Sequence, residues 1–219
     1  MKIKGILFDF NGTMFFDGPK HSEAWNVFSL KFRNKPISEE ELQYLHGQTN
    51  KQIIKLLLET TLPDDESERL SKEKEAFYRQ CCIEDPTSFH LVDGLVELLD
   101  KLKEMQVPMT ICSASIKDNI DFFIESFHLD TWFDCDNIIY DDGTHANKIS
   151  MFLDGARNIK VPIEQCLIFE DSISGLQFAN DVHAGKIVAI NTPNKKNDFK
   201  KIKRIDQVID DYTNFDVYS

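Results

Sequence analysis

The sequence has no surplus of positive charge: 37 Asp and Glu stand against 25 Lys and Arg, for a formal net charge of −12. Nucleic-acid backbones and anionic membranes both reward basic patches, so neither is expected as the main partner. An anionic ligand would need a local positive site. A disulfide framework is also missing. The five cysteines, Cys81, Cys82, Cys112, Cys135 and Cys166, are odd in number and share no repeated spacing. Cys112 and Cys166 sit inside apolar runs, so reduced thiols and a cytoplasmic setting are expected. Around Cys81-Cys82 no Cys/His cluster completes a metal or redox site. Neither a signal peptide nor a membrane span is recognisable, because Met1-Lys2 leads straight into a strand-like run ending in acidic and polar residues. Internal repeats and low-complexity segments are absent too. What is present is an ordinary globular composition, 42% hydrophobic and 28% charged over 219 residues, enough for one core domain and a smaller module.

Short apolar runs recur at Ile3 to Phe10, Val107 to Cys112, Ile138 to Tyr140, Cys166 to Phe169 and Ile187 to Ile190. They read as buried parallel strands. Between them, Leu95-Leu98-Leu99-Leu102, Ile120-Phe123-Ile124-Phe127, Met151 to Ile159 and Ile173 to Val182 follow a helical period. Such alternation predicts βαβ crossovers and an α/β fold with a doubly wound, Rossmann-like parallel sheet. Residues 16–90 break the pattern, being charged, helix-favouring and free of a convincing strand. They predict an all-helical insert after the first strand, with pieces at Ser22 to Arg33, Ser38 to His46, Asn50 to Thr60 and Asp64 to Cys82, and breaks at Pro36, Gly47 and Pro63. The expected domains are therefore 1–15 with 91–219 as core and 16–90 as cap. Hinges are expected near Phe15 to Pro19 and Thr87 to Asp93. The basic clusters Lys195-Lys196 and Lys200 to Arg204 read as a solvated face or loop.

In a doubly wound sheet, ligands bind beyond the carboxyl ends of the strands. The first strand stops on Asp9, followed by Phe10-Asn11-Gly12-Thr13. A second stops on Cys112-Ser113, and a later one on Glu170-Asp171-Ser172. A lone Asp at a strand end is usually a turn former or a helix cap, but three polar endings together can build a phosphoryl-transfer site. Asp9 would be the carboxylate nucleophile, Ser113 and nearby backbone amides would hold phosphate oxygens, and Glu170 with Asp171 would hold a hard cation. Lys148, ahead of a helix expected to be capped by Ser150, can neutralise Asp9 and the phosphate, although a single lysine is by default a solvated one.

The set formed by Asp9-Phe-Asn11-Gly-Thr, Ser113, Lys148 and Phe169-Glu-Asp-Ser-Ile-Ser-Gly-Leu176 resembles the four signature motifs of the haloacid dehalogenase superfamily, over essentially the whole chain. His21-Ser-Glu-Ala-Trp25, His46-Gly47-Gln-Thr and Cys112-Ser-Ala-Ser115 resemble its β-phosphoglucomutase-like group. The resemblance implies an aspartyl-phosphate at Asp9. It places Mg²⁺ on Asp9, the Asn11 backbone carbonyl, Asp171 and Glu170, and gives Ser113, Ala114 and Lys148 the transferring phosphoryl group. It further implies substrate contacts from His21, Ser115, Asn50 and Lys74. A monomer acting on a small phosphorylated metabolite is expected.

Three positions depart from that pattern. Asn11 stands where phosphatases and mutases of this kind have the aspartate that protonates the leaving group, and an amide exchanges no proton at neutral pH, which puts about 10²–10⁴ in rate at risk. Asn11 is compatible with substrates carrying good leaving groups or with another acid such as His21. It is also compatible with a binder that has lost turnover or with an introduced change, and last with deamidation at Asn11-Gly12, against which a structured turn usually protects. Asn50 replaces the arginine that sugar-phosphate mutases place in the cap, removing one clamp for a second phosphate, for which Lys51 or Lys74 could substitute. The segment after Lys148 lacks the usual prolines. The first expectation is a Mg²⁺-dependent phosphatase, the alternatives being a β-phosphoglucomutase-like phosphotransferase and a non-catalytic phosphate-ligand binder.

Overall fold

The computed structural model describes residues 2–38, 40–41, 49–193 and 198–217. Contacts divide the chain into two compact units, Met1–Phe16 with His90–Ser219, and Asp17–Phe89. The core unit carries strands β1 (Gly5–Phe8), β2 (Met109–Ile116), β3 (Ile139–Asp141), β4 (Cys166–Glu170), β5 (Lys186–Ile190) and β6 (Gln207–Ile209). The helices are α1 (Gly18–Arg33), α2 (Asn50–Leu58) and α3 (Asp64–Glu84) in the cap, then α4 (Leu95–Glu104), α5 (Lys117–Phe127), α6 (Lys148–Asn158) and α7 (Ile173–Asp181) in the core.

All six strands are parallel, in the order β3-β2-β1-β4-β5-β6. The chain winds outward from β1 on one side and, after returning through β4, outward on the other. This is the expected doubly wound, Rossmann-like sheet, with its switch point between β1 and β4. Alternate residues of each strand serve opposite faces. Leu7 and Ile168 join Met151, Phe152, Leu176 and Ala179 in one apolar cluster with α6 and α7. Phe8 and Phe169 stack at 4.9 Å between ring centroids, with Phe133, Tyr212 and Phe215 packed edge-on around them. Such pairs add about 0.5–1.5 kcal/mol to burial. Here they pin the ends of β1 and β4, since the residues following Phe8 and Phe169 are Asp9 and Glu170.

Strand boundaries differ from the sequence reading in instructive ways. β1 is shorter than Ile3 to Phe10, because beyond Asp9 the chain leaves the sheet and the amides of Thr13, Met14 and Phe15 all turn back to the Phe10 carbonyl. β2 does not stop at Cys112-Ser113 but runs on to Ile116, held by β3 through Cys112↔Ile139 and Ile116↔Asp141 with a register shift between them. Ser113 is thus inside the strand, and Ser115 projects from its last turn of the pleat. β6 carries no apolar run for a pattern to show: Val208 is an exposed residue of an edge strand. α6 begins at Lys148 and is capped by Asn147, whose side chain accepts from the Ile149 amide, while Ser150 only donates back to the Asn147 carbonyl. The cap is therefore Asn147 and not Ser150.

The cap unit buries Trp25, Phe28, Ile37, Ile53, Ile54, Leu57 and Leu70 together. α1 starts four residues before Ser22, since Gly18-Pro19 is tolerated where the first-turn amides have no helical partner anyway. α2 opens on a reciprocal capping box between Thr49 and Gln52. The helix expected over Ser38 to His46 falls mostly outside the described residues, as do Gly47, Lys195 and Lys196. All five cysteines are free, and Cys81 and Cys82 belong to the cap interior. No helix among the described residues is long and apolar enough to cross a membrane.

Candidate active site

Asp9 follows β1 directly, and its amide donates to the Phe169 carbonyl at 3.0 Å, so the two strand ends are tied at this residue. One carboxylate oxygen takes the Lys148 ammonium and the other accepts from the Thr13 hydroxyl at 2.9 Å. Thr13 is in turn positioned by the tight turn after Phe10, where Gly12 has φ +78°. A side chain at Gly12 would be strained, and its Cβ would stand 2.5 Å from Asp171 Oδ2. The turn can approach the acidic cluster only as glycine.

Glu170 ends β4 and is fully buried. Its Oε2 accepts from Lys148 at 2.6 Å, and its Oε1 accepts from the Ser172 amide, the Ser172 hydroxyl and the Asp171 amide at 2.9, 2.8 and 3.2 Å. Ser172 also caps α7 through the Gly175 amide. At Gly175 a Cβ would lie 2.1 Å from Glu170 Oε2, so the first turn of α7 packs directly on this carboxylate. Asp171 Oδ2 and the Gly12 carbonyl share the Thr192 hydroxyl, at 3.2 and 3.0 Å.

Three carboxylates and one ammonium now occupy one buried volume, and their proton affinities diverge. Burial, with Glu170 and Asp171 beside it, lifts the Asp9 carboxyl to about 8 against the pull of Lys148. Burial works the same way on Glu170 but is outweighed by Lys148 and the Ser172 donors, which hold it below the usual carboxylate range. Desolvation works against the charge of the half-buried Lys148, yet the two carboxylates keep it well above an ordinary lysine. Without a cation, then, Glu170 is the more acidic of the two and Asp9 holds its proton to higher pH. Ligand atoms of Asp9, Glu170 and Asp171 lie within 4.8 Å of one another. Three carboxylates, all hard oxygen donors with no nitrogen or sulfur among them, fit a hard divalent cation.

Asn11 faces β2. Its Oδ1 accepts from the Ser115 hydroxyl at 2.7 Å and the Ser113 hydroxyl at 3.3 Å, and Ser113 Oγ accepts the Ser115 amide at 3.1 Å. Ser113 is buried and Ala114 exposed. The structure thus gathers Asp9, Asn11, Ser113, Ser115, Lys148, Glu170 and Asp171 at the carboxyl edge of the sheet.

His21, Asn50 and Lys74 come together within the cap. His21 Nδ1 is 2.8 Å from Lys74 Nζ, and both Lys74 and the Asn50 amide donate to Glu75 Oε1, at 2.8 and 2.7 Å. Burial opposes ionisation of Glu75, but Lys74, His21 and these hydrogen bonds bring its carboxyl down to about 2. On its other side His21 meets Asp17 at 3.2 Å and stacks on Tyr78. Lys51 instead lies 3.8 Å from Asp64 on the cap surface. Sequence reasoning missed Thr13, Thr192 and Glu75. The strand-end rule applied to Ile190-Asn191-Thr192 would have found Thr192, whereas nothing in the sequence distinguishes Glu75 from the other acids of α3.

A doubly wound sheet with a lysine held among three buried carboxylates at its switch point defines an α/β protein with a concentrated charge cluster beyond the carboxyl ends of its strands. The chain belongs to the haloacid dehalogenase-like hydrolases, whose family model matches residues 3–183. It is similar to the crystal structure of a haloacid dehalogenase hydrolase, family IA, variant 3, from Entamoeba histolytica, at 33% identity and a TM-score of 0.91 over 98% of this chain and 96% of that one. It is 24% identical to the fructose-1-phosphate phosphatase YqaB of Escherichia coli, over 81% of this chain and 92% of that protein. β-Phosphoglucomutase from Clostridium difficile shares the fold, with a TM-score of 0.72 at 20% identity over 98% and 94% of the two chains.

Proposed function

We propose that this chain is a Mg²⁺-dependent phosphatase that removes a phosphoryl group from a small phosphorylated metabolite, with sugar phosphates the first class to test, through phospho-Asp9. The observation that carries the reading is Asp9 itself, buried at the switch point between Lys148 and an acidic pair. Its oxygen would attack phosphorus while Lys148 balances the charge of nucleophile and phosphate. Ser113, with the backbone around Ala114, would hold the phosphate oxygens. Asp9, Asp171 and the Asn11 carbonyl, steadied by Glu170, would hold Mg²⁺, which when bound neutralises charge on the transferring group. In the cap, His21, Asn50 and Lys74, with Ser115 in the core, are proposed to contact the rest of the substrate. The pairing of Lys74 and Asn50 with Glu75 suits them to hydroxyl groups of that substrate rather than to a second phosphate, which disfavours the mutase alternative.

The reading is tested by phosphate release from a panel that includes fructose 1-phosphate and β-glucose 1-phosphate. Release should require MgCl₂ and stop on addition of EDTA. Unchanged release in EDTA would overturn the cation assignment. A second expectation concerns protons. Because burial and its acidic neighbours push the Asp9 carboxyl up to about 8 without the cation, Mg²⁺ uptake below that pH is expected to displace close to one proton, and above it progressively fewer. Apparent Mg²⁺ affinity should therefore rise with pH and level off beyond about 8. Calorimetry in buffers of different ionisation heat measures the released proton directly.

A further inference from the structure

We infer that Asp9 takes its phosphoryl group from acyl phosphates, mixed anhydrides whose leaving group departs as a carboxylate, and keeps it as a persistent aspartyl-phosphate. This rests on Asp9 being the nucleophile, as proposed above, and names the donor class that the rest of the site can serve.

The side chain two residues after Asp9 is an amide built firmly into the site. Its carbonyl oxygen has two acceptor positions and receives two hydroxyls, from Ser115 at 2.7 Å and Ser113 at 3.3 Å, with Ser113 itself fixed by the Ser115 amide. An amide nitrogen carries no basic lone pair. Asn11 can orient a group by hydrogen bonding, but it neither delivers a proton nor removes one. The side chains hydrogen-bonded to Asp9 and Glu170 are already engaged. Thr13 donates its hydroxyl to Asp9, the Lys148 ammonium is committed to Asp9 and Glu170, and Glu170 is filled by Lys148 and Ser172. Thr192 spans Asp171 and the Gly12 carbonyl.

The two half-reactions feel this differently. In the first, an Asp9 oxygen bonds to phosphorus while the bond from phosphorus to the donor oxygen breaks, its electron pair leaving with the donor. An alkyl phosphate would have to expel an alkoxide, which needs a proton. An acyl phosphate expels a carboxylate, stable unprotonated near neutral pH because such acids titrate at about 4. In the second, water attacks phosphorus, the bond to the Asp9 oxygen breaks, and free phosphate and the Asp9 carboxylate result. That water must lose a proton as it attacks, and Asn11 cannot accept it, so this step slows by about 10²–10⁴. A fast first step and a slow second leave the phosphoryl group on Asp9.

The purified chain, in MgCl₂, is mixed with acetyl phosphate or with fructose 1-phosphate. Intact mass and free phosphate are followed together, and the modified residue is located by peptide mass. Acetyl phosphate should add close to one phosphoryl group per chain, on Asp9, in a burst followed by slow release. Fructose 1-phosphate should label at least about 100-fold more slowly, and Asp9→Asn should take up none. Turnover of fructose 1-phosphate as fast as acetyl phosphate, with no adduct from either and with turnover abolished in Asp9→Asn, would overturn the inference while leaving Asp9 as nucleophile. Absence of both label and phosphate release with either donor would overturn the nucleophile assignment itself, as would a label that persists in Asp9→Asn.

Discussion

Asp9→Asn should lose phosphoryl acceptance by on the order of 10⁴-fold or more, from any donor, without loss of the fold. The amide is isosteric and can keep the Thr13 hydroxyl on its carbonyl oxygen, so the turn through Gly12 stays supported. What disappears is the nucleophilic oxygen and one of the two carboxylates facing Lys148. Misfolding can be separated from lost chemistry by the stability of the two proteins in cation-free buffer. Asp9 has a folded pKa raised from 3.8 to about 8 by burial and by its acidic neighbours. The folded chain therefore binds more protons than the unfolded one between those values, and the wild type is expected to lose stability as pH rises through that window. Asp9→Asn lacks this dependence, so its melting temperature should fall less between mildly acidic pH and pH 8. Residual activity comparable to wild type, in a variant that melts normally, would remove Asp9 from the mechanism.

Much of this site is legible in the sequence through the polar residues at strand ends. The signal is clear at β1 and β4 because each is fully buried and stops on a carboxylate, leaving an apolar run with a clear polar terminus. It misplaces the end of β2, since Ser113, Ala114 and Ser115 are small polar or neutral residues that the sheet keeps extended only because β3 pairs alongside. That pairing is non-local and invisible in a window of sequence. The consequence is chemical: the longer strand brings Ser115 to Asn11, the contact that fixes the amide. Asn191-Thr192, just after β5, carries the same signal as the ends of β1 and β4. β6 gave no signal, being a three-residue edge strand with one exposed valine. In the cap, sequence showed helices and the candidate ligands His21, Asn50 and Lys74. It could not show that Glu75 occupies two of them, because adjacent residues on a helix normally diverge and Lys74 must curl toward its neighbour for the 2.8 Å contact to form.

Asn11→Asp should raise turnover of alkyl phosphates such as fructose 1-phosphate by about 10²–10⁴, the contribution of a positioned general acid and base. The seat for the carboxylate already exists, since the Ser115 and Ser113 hydroxyls that donate to the amide oxygen would donate equally to a carboxylate oxygen. The substitution therefore needs no rearrangement of β2. It does add a fourth acid beside Asp9, Glu170 and Asp171, a cluster in which burial and mutual repulsion have already lifted Asp9 to about 8. Like charges oppose one another's ionisation, so cation-free Asn11→Asp should be less stable than wild type at neutral pH and should recover more on adding MgCl₂. The pH profile is a separate diagnostic. A group that gives a proton to the leaving oxygen and then takes one from water must be protonated for the first step and ionised for the second, so the variant should acquire a bell-shaped dependence on the alkyl substrate that wild type lacks. The same residue would hasten hydrolysis of phospho-Asp9, and the adduct formed with acetyl phosphate should cease to accumulate. A variant that folds, binds Mg²⁺ and hydrolyses alkyl phosphates no faster than wild type would mean that the proton enters from another group, and the reading of Asn11 as the element limiting turnover would be wrong.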